Sequence, residues 1–253
     1  MRRAALPRRA VERAVAGGRL VVPRPGLVAS PDLAPALLAA ARLKGVVSCG
    51  SAASLMGREL LTPLRQVHVT VPRARVARQA GLVIHRREVP TDGLLTTPDR
   101  TAADCARCLP RLDALVVLDS FLREGVNRAD VLAHLWGRGC GPAREVVRRA
   151  DGRAESSGET VGRVVLEDAG LQVEPQVRIR GVGRVDLLVE GRLVVEVDGF
   201  AYHSDRQRFA ADRRRDAALL AMGYRVLRFT WMDVVTRPDY VVAMVRAVLA
   251  VSA

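Results

Sequence analysis

The chain reads as an α/β (α+β) protein of two domains, a basic N-terminal part holding a partial winged helix and a mixed α/β segment, and a C-terminal αβββαβα sheet domain. Three observations predict this. The apolar periodicity breaks at "RRADGRAESSGET", residues 148–160, where Gly, Ser and charge interrupt it. Residues 1–150 hold 25 Arg and Lys against 12 Asp and Glu, whereas residues 151–253 hold 15 against 15, so the whole excess of +13 sits before the break. Beyond the break, three short β-rich runs follow one helix and are themselves followed by a helix, a strand and a helix. The expected divisions are 1–30, 31–150 and 151–253.

With 49% hydrophobic and 26% charged residues among 253, the composition is that of a globular chain. No window approaches ~18 uninterrupted apolar residues, and "MRRAALPRRAVERAV" lacks the apolar centre of a signal peptide. A cytoplasmic protein without a membrane segment is the expectation. A basic half beside a neutral one points to an anionic polymer as partner, because neutralising phosphates is the usual use of such an excess. Arginine accounts for 39 of the 40 basic residues, Lys44 being the exception, so the choice of arginine at any one site carries little information.

Pro7 suits a first helical turn, the helix runs to about Ala16, and Gly17-Gly18 stops it. Its arginines Arg8, Arg9 and Arg13 are the candidate phosphate contacts. Two apolar segments flanking "PRPG" read as a hairpin. A basic helix followed by a hairpin is the second half of a winged helix, whose helix enters the major groove. The first half is missing, so either the domain is truncated or the true start lies upstream of Met1. "VVSCGSAASLMG" predicts a short helix, "QVHVTVPR" and "GLVIHRRE" predict strands, and "TTPDRTAADCARCL" a helix with Thr97 or Asp99 near its cap. Helices are expected at about 111–123, 128–137 and 142–150. His68, His85 and His134 fall singly on these elements and read as structural. Cys105 and Cys108 form a C-x-x-C, but on a helix, and Cys49 and Cys140 have no second ligand near in sequence. All four cysteines therefore read as buried, reduced thiols and not as a zinc site.

In the C-terminal part Ser156 or Ser157 caps a helix with Glu159 in its first turn, the pattern of a capping box. "PQVRIR", "GRVDLLV" and "RLVVEVD" are the three strands. "DRQRFAADRRRDAALLAMG" is a helix starting at Asp205, "YRVLRFTW" a fourth strand and "RPDYVVAMVRAVLA" a closing helix. Glu196 and Asp198 stand two apart in a strand and share a face. A hairpin centred on Gly191 sets Asp186 opposite Glu196 and Arg184 opposite Asp198, whereas a slip of one residue turns Asp186 to the other face. Clustered carboxylates raise one another's pKa unless a cation neutralises them, and hard oxygen ligands of this kind suit Mg²⁺ or Mn²⁺. Such an ion activates water and neutralises charge on a scissile phosphate. The alternative is pairing of these acids with Arg184 or Arg228.

The N-terminal motifs "GGRLVVPRPGLVAS", "SCGSAASLMG", "VHVTVPR", "GLVIHRRE" and "TTPDRTAADCAR" resemble the AbiEi family, the antitoxin half of type IV toxin–antitoxin systems. That resemblance implies DNA-binding regulation and a toxin partner protein. The C-terminal motifs "ESSGET", "RVDLLV", "RLVVEVDGFAYH", "DRRRDAALLAMGYRVLRFTW" and "VVAMVRAVL" resemble the PD-(D/E)XK nuclease superfamily, in its branch similar to the very-short-patch repair endonuclease. This implies a restriction-endonuclease-like fold and a metal-dependent DNA endonuclease, with Asp186 and Glu196 as metal ligands helped by Glu159. Asp198 stands where the superfamily has its lysine. Either Asp198 is a further ligand, with His203 or one of Arg213, Arg214 and Arg215 supplying the base or the positive charge, or catalysis is lost and the domain serves a DNA-binding regulator. Arg213, Arg214 and Arg215 are also candidate contacts to DNA phosphates.

Overall fold

A computed structural model of the chain describes residues 7–72, 79–87, 93–199 and 206–251. Its elements in order are α1 (Arg8–Ala16), β1 (Val21–Arg24), β2 (Leu27–Ala29), α2 (Pro35–Leu43), β3 (Val46–Val47), α3 (Cys49–Leu55), β4 (Val67–Val71), β5 (Leu82–Arg86), α4 (Pro98–Cys108), α5 (Arg111–Arg123), α6 (Arg128–Ala133), α7 (Gly141–Arg149), α8 (Ser157–Asp168), β6 (Val173–Ile179), β7 (Gly183–Val189), β8 (Leu193–Asp198), α9 (Arg206–Ala221), β9 (Arg225–Thr230), α10 (Trp231–Thr236) and α11 (Pro238–Ala250). The fold is mixed α/β, with two sheets in the N-terminal half and one in the C-terminal half. No helix among the described residues is long and apolar enough to cross a membrane.

The chain divides into two compact units. One comprises residues 1–117 and 126–148, the other 118–125 and 149–253. Residues 118–125 go with the second unit, because Asp119, in the second half of α5, is built into its core. Its carboxylate meets Arg163 Nη2 at 2.9 Å, accepts from Thr160 Oγ1 at 2.8 Å and caps the Asp151 N–H at 2.6 Å. Both charged side chains are at most 2% exposed, and the pair is supported by further bonds, to the Asp119 carboxylate from Thr160 and Asp151 and from Arg163 Nη1 to Glu167 and the Arg149 carbonyl.

In the first unit β1 and β2 pair antiparallel around Pro25-Gly26, where Gly26 takes the positive φ of +77° that a turn with proline before it requires. Arg8, Arg9 and Arg13 lie exposed along α1, and Arg8 pairs with Glu12 at 2.9 Å. A second sheet runs β3-β4-β5, with β3 antiparallel and β5 parallel to β4. Its core joins Ala40 and Leu43 of α2 to Val47, Ala52, Val69 and Val71. Helix α6 ends at Ala133, four residues short of expectation. Asn127 caps its start, and Gly137 and Gly139 turn the chain with positive φ beyond it. His134 closes that helix and its Nε2 meets Asp99 at 2.5 Å, a structural partner.

Two cysteine and histidine expectations are corrected. His68 and His85 do not stand singly, and Cys49 is not without potential ligands. Residues far apart in sequence bring Cys49, His68, His85 and Cys108 to one point, where β4 and β5 lie side by side against the ends of α3 and α4. The C-x-x-C pair divides: Cys108 joins this cluster and Cys105 does not.

The second unit is a four-stranded sheet, β6-β7-β8-β9, antiparallel except for the parallel pair β8–β9, which α9 connects. Gly158 and Gly162 let α8 press against one face. A Cβ on Gly158 would lie 2.9 Å from Val197, and one on Gly162 would lie 3.3 Å from Leu187. On the opposite face Leu219 of α9 packs with Leu188 and Val194. The expected αβββαβα order gains one element: β9 stops at Thr230, whose hydroxyl accepts from the Asp233 N–H while Asp233 accepts from the Thr230 N–H, a capping box that starts α10 at Trp231.

Candidate active site

The β7–β8 register pairs Leu187 with Val195, Leu188 with Val194 and Val189 with Leu193, which centres the hairpin on Gly191. Continued by one residue, this register sets Asp186 beside Glu196. There the ladder gives way to a side chain, since Asp186 Oδ2 accepts the Val197 N–H at 2.9 Å. Alternation puts Asp186 with Leu188, and Glu196 and Asp198 with Val194, so the acids lie on the face that α9 covers.

Glu196 is 6% exposed. Arg215 stands one turn before Leu219 on α9, so it lands beside Glu196 as Leu219 lands beside Val194. Its Nη2 lies 3.1 Å from Glu196 Oε1. The contact is close but poorly aligned, and Glu196 Oε1 has no hydrogen bond among the described residues. The partners first considered for these acids are engaged elsewhere. Arg228 is opposite Glu196 in register but bonds Asp216 at 2.7 Å, and Arg184 pairs with Glu155. Arg215 also donates to the Arg184 carbonyl. Arg215 is thus committed to the acid site and the sheet, while Arg213 and Arg214 are exposed on the same helix.

Burial, then the charge of Asp186, pushes the Glu196 carboxyl up to about 7. Burial also raises Asp186, against the lowering effect of the Val197 N–H and Arg215. The two carboxyls share one site, and the charge of Asp186 disfavours ionisation of Glu196. Glu159 is raised as well, by burial first and by Asp186 among the later causes. Its carboxylate is held by three donors: Ser156 Oγ to Oε1 at 3.0 Å, and the Glu155 N–H and Gln176 Nε2 to Oε2 at 2.9 and 2.8 Å. The expected capping box is thus altered. Ser156 Oγ accepts the Glu159 N–H, but Glu159 reaches Glu155 and not the Ser156 N–H.

Asp198 ends β8, half-buried, and lines a cleft of about 320 Å³ with Ser156, Gly158, Val197 and Trp231. His203 lies outside the described residues.

Gln176 escaped the reading of the sequence. It falls between the pairs Pro175–Leu187 and Val177–Val185, across from Asp186, and takes φ of +56°. A left-handed non-glycine residue costs roughly 1–2 kcal/mol, and here that conformation accompanies the bond to Glu159. The only signal in the sequence is a polar residue in an apolar run, which is weak.

A family model described as the AbiEi antitoxin C-terminal domain matches residues 45–148, and the REase_MTES_1575 model, restriction-endonuclease-like, matches residues 160–249. "Uncharacterized protein MT2308" of Mycobacterium tuberculosis (strain CDC 1551 / Oshkosh) is 33% identical over 234 residues, covering 85% of this chain and 86% of its own. "Uncharacterized protein Rv2248" of Mycobacterium tuberculosis (strain ATCC 25618 / H37Rv) matches with the same figures. The chain belongs to the family of these mycobacterial proteins. Within the chain, residues 45–148 are similar to an AbiEi-type antitoxin domain and residues 160–249 to a restriction-endonuclease-like domain. Among solved structures, the catalytic domain of the homing endonuclease I-Bth0305I is 21% identical over 35% of this chain and 89% of its own, with a TM-score of 0.31, too low to weigh in the assignment.

Proposed function

We propose that the C-terminal domain hydrolyses DNA phosphodiester bonds with a divalent metal, and that the basic N-terminal part contacts the nucleic acid. The observation that carries this reading is the buried Asp186–Glu196 pair, whose charge a poorly aligned arginine offsets only in part and whose Glu196 Oε1 lacks a hydrogen bond. An oxygen-only donor set with an orphaned buried atom fits Mg²⁺ or Mn²⁺. Asp186 and Glu196 would hold the ion. Glu159 would complete the acidic wall, because its Oε1 receives one donor and keeps a lone pair. A bound ion supplies an activated water and a positive charge against the scissile phosphate.

The chain's own groups have separable tasks. Val197 fixes Asp186 through its N–H, Gln176 and Ser156 fix Glu159, and Arg215 keeps a positive charge beside Glu196 where the superfamily lysine is absent. His203 is the sole imidazole after residue 134, and its pKa near neutrality suits proton transfer. Arg213 and Arg214, with Arg8, Arg9 and Arg13, are proposed phosphate contacts. Purified full-length protein incubated with single-stranded, duplex and mismatched DNA is expected to nick or cut only with Mg²⁺ or Mn²⁺. Cleavage that survives Asp186→Ala removes this site from the reaction.

A second reading is favoured by the AbiEi match over residues 45–148 and by Asp198 in the lysine position. In it the protein is a DNA-binding regulator with a toxin partner, and the nuclease-like domain is a binding platform. Promoter binding and regulation unchanged in Glu196→Ala, together with no cleavage by the wild type, would select this reading.

A further inference from the structure

We infer that the first unit holds a structural zinc ion on Cys49, His68, His85 and Cys108. Each residue comes from a different element, α3, β4, β5 and α4 respectively, and one ligand atom from each lies within 4.8 Å of all the others. The contacts that define the group are His85 Nε2 to His68 Nδ1 at 3.5 Å and Cys108 Sγ to His68 Nδ1 at 3.7 Å. A tetrahedral ion with Zn–N of ~2.0–2.1 Å and Zn–S of ~2.3 Å has N···N edges of roughly 3.3–3.4 Å and N···S edges of roughly 3.6 Å. These two separations match the edges to within a few tenths of an ångström, and the remaining pairs lie within 4.8 Å.

A cation accounts for the convergence of these four groups better than the weak, long thiol and imidazole hydrogen bonds they otherwise make. Two ring nitrogens and two sulfurs, each with a lone pair to offer a metal, gather at one point. The cysteines are free thiols, and the outward alternative for Cys49, a contact to the Asp104 carbonyl at 3.6 Å, is a weak bond. Cys49 also holds φ of +50°, a strained conformation for a residue with a side chain. A donor set of two sulfurs and two nitrogens selects zinc over the hard ions suited to the acid site, and four protein ligands complete a tetrahedral coordination sphere. The role is therefore structural. The ion ties both sheet strands to two helices in a unit whose third strand, β3, has only two residues. His85 and Cys108 are half-buried and leave a path for entry.

The test uses the full chain, dialysed against EDTA, with metal content read by mass spectrometry and with cobalt(II) substitution read in the visible spectrum. One zinc per chain is expected, together with the ligand-field and thiolate charge-transfer bands of tetrahedral cobalt. Cys108→Ser and His85→Ala should each lose the ion, while Cys105→Ala, Cys140→Ser and Asp186→Ala should keep it. If the ligand variants fail to fold, the wild-type cobalt spectrum decides alone. Wild-type protein with far less than one equivalent and no thiolate–cobalt bands would overturn the inference. So would a Cys49–Cys108 disulfide, or zinc that survives Cys108→Ser and is lost in Cys105→Ala.

Discussion

The acid cluster on β7 and β8 and the Cys/His cluster around β4 and β5 differ in donor atoms, in enclosure and in how far apart their members lie in the chain. The first is made of oxygens, keeps an arginine at its side and adjoins a cleft. The second is made of sulfur and nitrogen and closes on itself. An incomplete, partly neutralised set leaves room for substrate and water, whereas four protein ligands leave none, and under the two proposals that is what separates a reacting site from a staple. Asp119 supplies the control within the second unit. It too is a buried carboxylate, but Arg163, Thr160 and the Asp151 N–H satisfy it, so it calls for no metal.

The contrast can be broken at four points. Asp119→Ala strands the Arg163 guanidinium and should cost about 3 kcal/mol in urea unfolding, the low end for a broken buried pair, because Glu167 remains 3.0 Å from Arg163. Asp186→Ala should lower metal-dependent cleavage by more than about 100-fold, since even the outer partners of a metal ligand are worth 10–100-fold, with a smaller loss in unfolding than Asp119→Ala, because the Val197 N–H loses its acceptor while Glu196 is relieved of a like charge. Equal losses of stability in these two variants would erase the distinction between a structural and a functional acid.

The third point is pH. Glu196 is raised to about 7, and a metal must displace its proton, so Mn²⁺ affinity should rise about tenfold per pH unit toward 7 and level off above it. Without metal the sign reverses. The folded state keeps a proton that the unfolded chain gives up in the usual carboxylate range, so this contribution to stability is lost as pH rises toward 7. Glu196→Gln should flatten both profiles, and a pH dependence that persists in Glu196→Gln would assign it to another group. The smallest effect is expected at Gln176. Gln176→Ala removes one hydrogen bond to Glu159, worth about 1 kcal/mol, and should lower cleavage several-fold while leaving Mn²⁺ affinity almost unchanged.

The acid site was legible because its members are local. Glu196 and Asp198 obey the period of a strand, and Gly191 fixes where the hairpin folds Asp186 back, so spacing alone implied the register that pairs Leu187 with Val195. Arg215 was one of three candidates until the stripe it shares with Leu219 set it beside Glu196. Gln176 was hidden because its role depends on a backbone conformation that no pattern announces. The Cys/His cluster was hidden for a different reason. Its ligands lie at 49, 68, 85 and 108, without a short pair of ligands to mark them, and the visible C-x-x-C pointed partly to the wrong sulfur. The parallel pairing of β4 with β5 aligns His68 with Val83 and Thr70 with His85. Only that tertiary arrangement brings the two imidazoles together.

The most direct measurement is Mn²⁺ titration by calorimetry of EDTA-dialysed wild type and Glu196→Ala, with zinc counted in the same samples. The account predicts Mn²⁺ binding in the wild type, its loss in Glu196→Ala, and an unchanged one zinc per chain in both. Mn²⁺ binding that is intact in Glu196→Ala, or zinc that disappears along with it, would contradict the assignment of a hard acid site and a separate soft one.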